Sequence, residues 1–178
     1  MALTFVDKIA AVHDHLERAG IGHAFGGAIA LGYHVESPRA TADIDVNITA
    51  SVSKARGVMR LLPAGVAWDD ADLRQIKRDG QVRLFWDATP VDLFFPQHEL
   101  HDVVAGRVER VPFATATIPI LSATDLTIFK ALFDRSKDWA DIEEMLAYGE
   151  VDVVDVRAWL ARIVGPDDPR LATLDKLT

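Results

Sequence analysis

Cysteine is absent from this 178-residue chain, which excludes disulfides and thiolate metal sites. Also missing is any apolar run long enough to span a bilayer. The N-terminal segment, MALTFVDKIAAVHDHLERAG, carries acids and histidines inside its apolar pattern and lacks a signal-peptide profile. A cytoplasmic address with no membrane partner is therefore expected. A net positive charge is lacking as well: 27 Asp and Glu outweigh 19 Lys and Arg, giving a formal −8. Broad, non-specific binding to nucleic acid is disfavoured, because phosphate affinity comes from concentrated Lys and Arg. Local basic groups remain in Arg74, Lys77, Arg78 and Arg83, in Arg107 with Arg110, and in Arg135 with Lys137. Taken singly, each reads as a solvated charged surface. No serine sits in a nucleophile elbow and no G-x-x-x-x-G-K-[ST] loop occurs. Internal repeats and low-complexity linkers are missing too.

The apolar fraction, 49%, and the charged fraction, 26%, belong to an ordinary globular protein with a core. The length fits one domain, or one domain with a helical appendage. Helical spacing of Phe5, Ile9, Val12 and Leu16 predicts a helix over 4–19, stopped by Gly20. Further helices are predicted over 28–33, 51–62, 69–78 and 97–105. Strands are predicted over 22–25, 43–48, 81–86, 90–95, 107–113 and 114–118, with Asp87-Ala88-Thr89 as a hairpin turn. From Ser122 the pattern is helical: 122–134, opened by a Ser122/Asp125 capping box, then 139–148 and 153–163. The tail after Pro166 reads as polar and loosely held. Strands thus crowd the first two thirds and helices the last third. The expected fold class is α+β, a mixed sheet flanked by helices, with a core over 1–120 and a C-terminal helical bundle over 121–178 packed on it.

The most informative stretch runs from Gly26 to Ile48. A glycine pair, Gly26-Gly27, opens a short apolar helix, and a Pro and Arg loop leads into a strand carrying Asp43 and Asp45. Alternation puts both carboxylates on one face and Ile44, Val46 and Ile48 on the other. Neighbouring carboxylates repel and call for a cation between them, normally Mg²⁺. A glycine turn nearby suits phosphate. Asp70 and Asp72 repeat the D-x-D spacing without a strand around them, so it is context that distinguishes the first pair.

Asp92 lies among Val91, Leu93, Phe94 and Phe95 on the second strand of the hairpin. Burying it is costly without compensation, which leaves three readings: an edge residue facing water, a third metal ligand, or the base that deprotonates an attacking hydroxyl. Lys130 stands between apolar neighbours in DLTIFKALFDR. It reads either as a snorkelling lysine on a helix edge or as a charge that reaches a triphosphate. Asp138 and Asp141 share a helix face, within reach of Arg135, Lys137 or Lys130. The six histidines, including His98 and His101, match no H-E-x-x-H pattern and read as surface or core residues.

Gly26-Gly27, then Arg39-Ala40-Thr41-Ala42-Asp43-Ile44-Asp45, then Asp92 on a strand, resemble the DNA polymerase β-like nucleotidyltransferase superfamily. The segment 122–145, with Asp125-Leu126, Lys130, Arg135, Asp138 and Asp141, is similar to the AbiEii-type branch, which includes toxins of toxin–antitoxin systems. The resemblance implies a nucleotidyltransferase fold and Mg²⁺- or Mn²⁺-dependent transfer of a nucleoside monophosphate from an NTP, with release of diphosphate. It implies that Asp43, Asp45 and Asp92 bind the metals, that Gly26, Gly27, Arg39 and Thr41 line the nucleotide, and that Lys130 contacts the triphosphate. Asp138 and Asp141 would support it. Gly27 stands where many members carry serine. In toxins of this branch the acceptor is the tRNA 3′ end, which would make RNA the substrate and an antitoxin protein a partner here. Two other readings stand beside it: transfer to an aminoglycoside- or lincosamide-like small molecule, which an acidic cleft would attract, and a non-catalytic nucleotide-binding module.

Overall fold

The computed structural model describes residues 3–178. Its elements follow in chain order: α1 (Phe5–Arg18), β1 (His23–Phe25), α2 (Gly27–Leu31), β2 (Ile44–Ile48), α3 (Ala55–Arg60) behind a 3₁₀ turn, β3 (Val66–Ala67) and α4 (Asp70–Asp79). Next come β4 (Gln81–Trp86), β5 (Thr89–Phe94), α5 (Leu100–Ala105), β6 (Glu109–Phe113) and β7 (Ala116–Ile120). Helices α6 (Ala123–Phe133), α7 (Ser136–Tyr148), α8 (Val153–Val164) and α9 (Pro169–Leu177) complete the chain. The chain divides into two compact units. One comprises the described residues up to Ile29 with Ala40–Ile120; the other comprises Ala30–Arg39 with Leu121–Thr178.

The first unit holds a mixed seven-stranded sheet in the order β3-β4-β5-β2-β1-β7-β6. Pairs β2–β5 and β1–β7 are parallel and the others antiparallel. Burial on β2 alternates as the sequence requires, with Ile44, Val46 and Ile48 inside. Helix α1 begins at a capping box: the Thr4 hydroxyl accepts from the Asp7 N–H, and Asp7 reciprocates. It buries Ile9, Val12 and Leu16 and packs on β7. Several strand boundaries shift by one or two residues from the sequence reading, and two of the shifts fall at turns. Thr89 pairs with Trp86 as the first residue of β5, leaving a two-residue turn in which Asp87 has φ 53°. Ala114, expected to open a strand, has φ 49° and belongs to the β6–β7 turn. The two-residue β3 is too short for alternation to show in the sequence.

In the second unit α6 packs against α7 and α8, and α8 against α9. Its core includes Leu126, Ile128, Ile142, Met145, Val156 and Leu160. Ser122 caps α6 by accepting from the Asp125 N–H, and Asp134 ends the helix in the left-handed region. The tail corrects the sequence reading. It is not loose but forms α9, with Asp168 as N-cap, Pro169 in the first turn, and Leu171 and Leu174 buried. Two leucines three residues apart give one apolar face, which suffices against α8.

Candidate functional site

Asp45 on β2 is the register partner of Asp92 on β5, and Asp92 is that of Arg83 on β4. Register partners on adjacent strands project from the same face of a sheet. Arg83, Asp92 and Asp45 therefore form a row across three strands. Asp43, two residues before Asp45, joins them from the edge of β2.

The Arg83 guanidinium grips Asp92 with both arms: Nε donates to Oδ1 at 2.8 Å and Nη2 to Oδ2 at 2.6 Å. The same Nη2 lies 3.5 Å from Asp43 Oδ2. Asp92 exposes only 12% of its side chain, against 54% for Arg83. Hydrogen bonding to Asp92 and its charge, with Asp43 and Asp45 further out, push the guanidinium's pKa above its ordinary value. Asp92 is thus not an edge residue facing water, since β5 is an interior strand. Arg83 is not simply one more member of a solvated basic cluster. It supplies the compensation that a buried carboxylate demands.

The glycine pair works on the same carboxylates. Gly26 donates its N–H to the Asp45 carbonyl at 3.0 Å, so that donor belongs to the β1–β2 corner. Gly27 has φ 50°, and a Cβ there would overlap the Asp45 carboxylate. A serine could not occupy this position unless Asp45 moved. The Thr41 hydroxyl accepts from the Asp43 N–H at 3.3 Å and lies 3.4 Å from the Asp43 carbonyl, fixing the entry to β2.

The remaining sequence-predicted residues come together in the second unit. Lys130 Nζ lies 2.5 Å from Asp141 Oδ2 and 3.7 Å from Asp138 Oδ1. Arg39 binds Asp141 through Nε and Nη2 at 3.3 and 3.1 Å. Arg135 binds Asp138 through the same pair of atoms at 2.5 and 3.1 Å. Lys130, Asp138 and Asp141 are 5%, 0% and 6% exposed. Lys130 is therefore no snorkelling lysine; its charge is met inside the unit. Burial pushes the Asp141 carboxyl up, but hydrogen bonds from Arg39 and Lys130 outweigh it and leave the group below its ordinary value.

Asp43, Asp45 and Asp92 offer hard oxygen donors only, which suits Mg²⁺ or Mn²⁺. The guanidinium of Arg83 shows that these carboxylates accommodate positive charge between them. Each carboxylate oxygen has two lone pairs, so Asp92 retains ligand capacity with Arg83 in place.

No protein-family model matches the chain, and no curated protein matches it in sequence. Solved structures do. The antibiotic-resistance factor ANT(2'')-Ia superposes with a TM-score of 0.61 at 13% identity, over 96% of this chain and 95% of that one. An antigenic nucleotidyltransferase-like protein from Paracoccidioides brasiliensis gives a TM-score of 0.50 at 16% identity, over 97% and 94% of the two chains. At such identities the likeness is one of fold. The chain has a nucleotidyltransferase-like fold, as the sequence resemblance implies.

Proposed function

We propose that the protein is a metal-dependent nucleotidyltransferase that moves a nucleoside monophosphate from an NTP onto an acceptor. One observation carries this reading: Asp45 and Asp92 in register on parallel neighbours β2 and β5, with Asp43 on the same face. Asp43, Asp45 and Asp92 would hold the divalent cation. When bound, it would offset charge on the triphosphate and on the departing diphosphate. Arg83 keeps Asp92 oriented and supplies positive charge at the carboxylates. Gly27 lets the Asp45 carboxylate lie against the chain, and Thr41 fixes Asp43. Lys130 stays outside this set, because Asp138 and Asp141 already take up its charge.

For the acceptor, a small cationic molecule is favoured. The net charge of −8 attracts it, and ANT(2'')-Ia, an antibiotic-resistance factor, shares the fold. Transfer to RNA, as in a toxin with a cognate antitoxin, is the second reading. It rests on the resemblance of the segments 26–45 and 122–145 together with the basic clusters, and three cluster members engage carboxylates: Arg78 with Asp79, Arg83 with Asp92 and Arg135 with Asp138. The test is incubation with each labelled NTP and Mg²⁺, against a panel of aminoglycosides and, separately, total tRNA. Labelled antibiotic made by wild type and not by Asp45→Asn supports the favoured reading. Labelled tRNA alone moves the acceptor to RNA. A wild type that labels neither removes the enzymatic reading, leaving a nucleotide-binding module.

A further inference from the structure

We propose a second metal site, for Zn²⁺ or a similar borderline divalent cation, formed by His13, Glu17 and His23. It shares no residue with the carboxylate row. His13 and Glu17 stand one turn apart on α1, and His23 opens β1. One ligand atom from each of the three lies within 4.8 Å of the other two. The two imidazoles are buried and the glutamate is half-exposed, which leaves a route from solvent.

The hydrogen bonds fix which nitrogens are available. His23 Nδ1 is 2.8 Å from the Ile21 carbonyl, an acceptor only, so the proton resides on Nδ1. The lone pair of His23 Nε2 then points at His13 Nδ1, 3.0 Å away. A carbonyl behind the distal N–H of a ligating histidine is the usual orienting device at zinc sites. Two nitrogens bound tetrahedrally at about 2.0–2.1 Å stand roughly 3.3 Å apart, so the observed spacing needs an opening of only a few tenths of an ångström. His13 would carry its proton on Nε2, exchanging one hydrogen bond for two metal bonds. Imidazole nitrogen selects a borderline cation over Mg²⁺. Two nitrogens and one carboxylate leave the fourth position to water. Among the described residues, Arg110 is the competitor: its Nη2 holds Glu17 Oε1 at 2.9 Å. A bound cation would tie the C-terminal half of α1 to β1.

The experiment is titration of the metal-stripped full chain with Zn²⁺ against a chromophoric chelator, in excess Mg²⁺, with Co²⁺ absorption and thermal unfolding recorded in parallel. One equivalent should bind, Co²⁺ should give tetrahedral visible bands, and the unfolding temperature should rise. Glu17→Gln, an exposed change that leaves the core intact, should weaken binding at least about tenfold. Arg110→Gln should tighten it by removing the competing cation. His13→Gln with His23→Gln should abolish it, while His98→Gln with His101→Gln leaves it unchanged. Absence of saturable uptake overturns the site. So does Zn²⁺ affinity unaltered in both Glu17→Gln and Arg110→Gln.

Discussion

Arg83 and Asp92 face each other across β4 and β5, joined by two hydrogen bonds of 2.8 and 2.6 Å. The pair makes a buried carboxylate tolerable and holds a positive charge where the proposed metal ligands converge. Arg83→Ala removes the compensation. Since the arginine is half-exposed, the cost is set below that of a fully buried pair, at about 1–2 kcal/mol in urea unfolding. The same variant should reach half-saturation with Mn²⁺ at a lower concentration, because a competing cation is gone. An unchanged Mn²⁺ titration would separate Arg83 from the metal site.

Gly27 is constrained twice, by φ 50° and by the Asp45 carboxylate. Gly27→Ala should cost about 1–3 kcal/mol from backbone strain, with the clash in addition. Gly27→Ser should fare no better, although serine is common here in the resembling family. Chemical denaturation of both variants checks this, and a serine variant as stable as wild type would contradict the geometry.

Asp141 stabilises its unit through Arg39 and Lys130. A carboxylate held below its ordinary value contributes fully above that value, near pH 4, and loses the contribution as pH falls through the lowered one. Asp141→Asn should therefore cost about 2–4 kcal/mol at neutral pH. The gap to wild type should close as acid protonates the native carboxylate. Urea unfolding at a series of pH values reads this out; a gap that widens in acid would contradict it.

Helix α9 holds through Leu171 and Leu174, both buried. Leu174→Ala should cost about 2–4 kcal/mol by opening a cavity against the neighbouring helix. A cost near zero in denaturant unfolding would mean that the tail contributes nothing.

The sequence disclosed the carboxylate row further than the groups around it. Alternation placed Asp43 and Asp45 together, and the apolar flanks of Asp92 marked it as needing a partner. Arg83 stayed hidden because its identity as that partner depends on the hairpin register. With a three-residue turn it would not face Asp92; the observed two-residue turn places it opposite. The overlap that makes Gly27 necessary arises between β2 and the start of α2, a tertiary approach that spacing cannot disclose. In the tail, charge and proline masked two leucines that form a complete apolar face. His13 and His23 give no sign of pairing in the sequence, because ten positions along a helix and a turn separate partners whose nitrogens lie 3.0 Å apart.

Transfer of labelled nucleoside monophosphate, with diphosphate release, by wild type and by Asp43→Asn tests the proposed chemistry most directly. All four NTPs, Mg²⁺ and both acceptor classes belong in the assay, with circular dichroism confirming that the variant is folded. The expected result is product from wild type and a loss of at least about a hundredfold, or roughly 2.7 kcal/mol, in the folded variant. Equal transfer by the two proteins, or none by wild type with any NTP and acceptor, would contradict it.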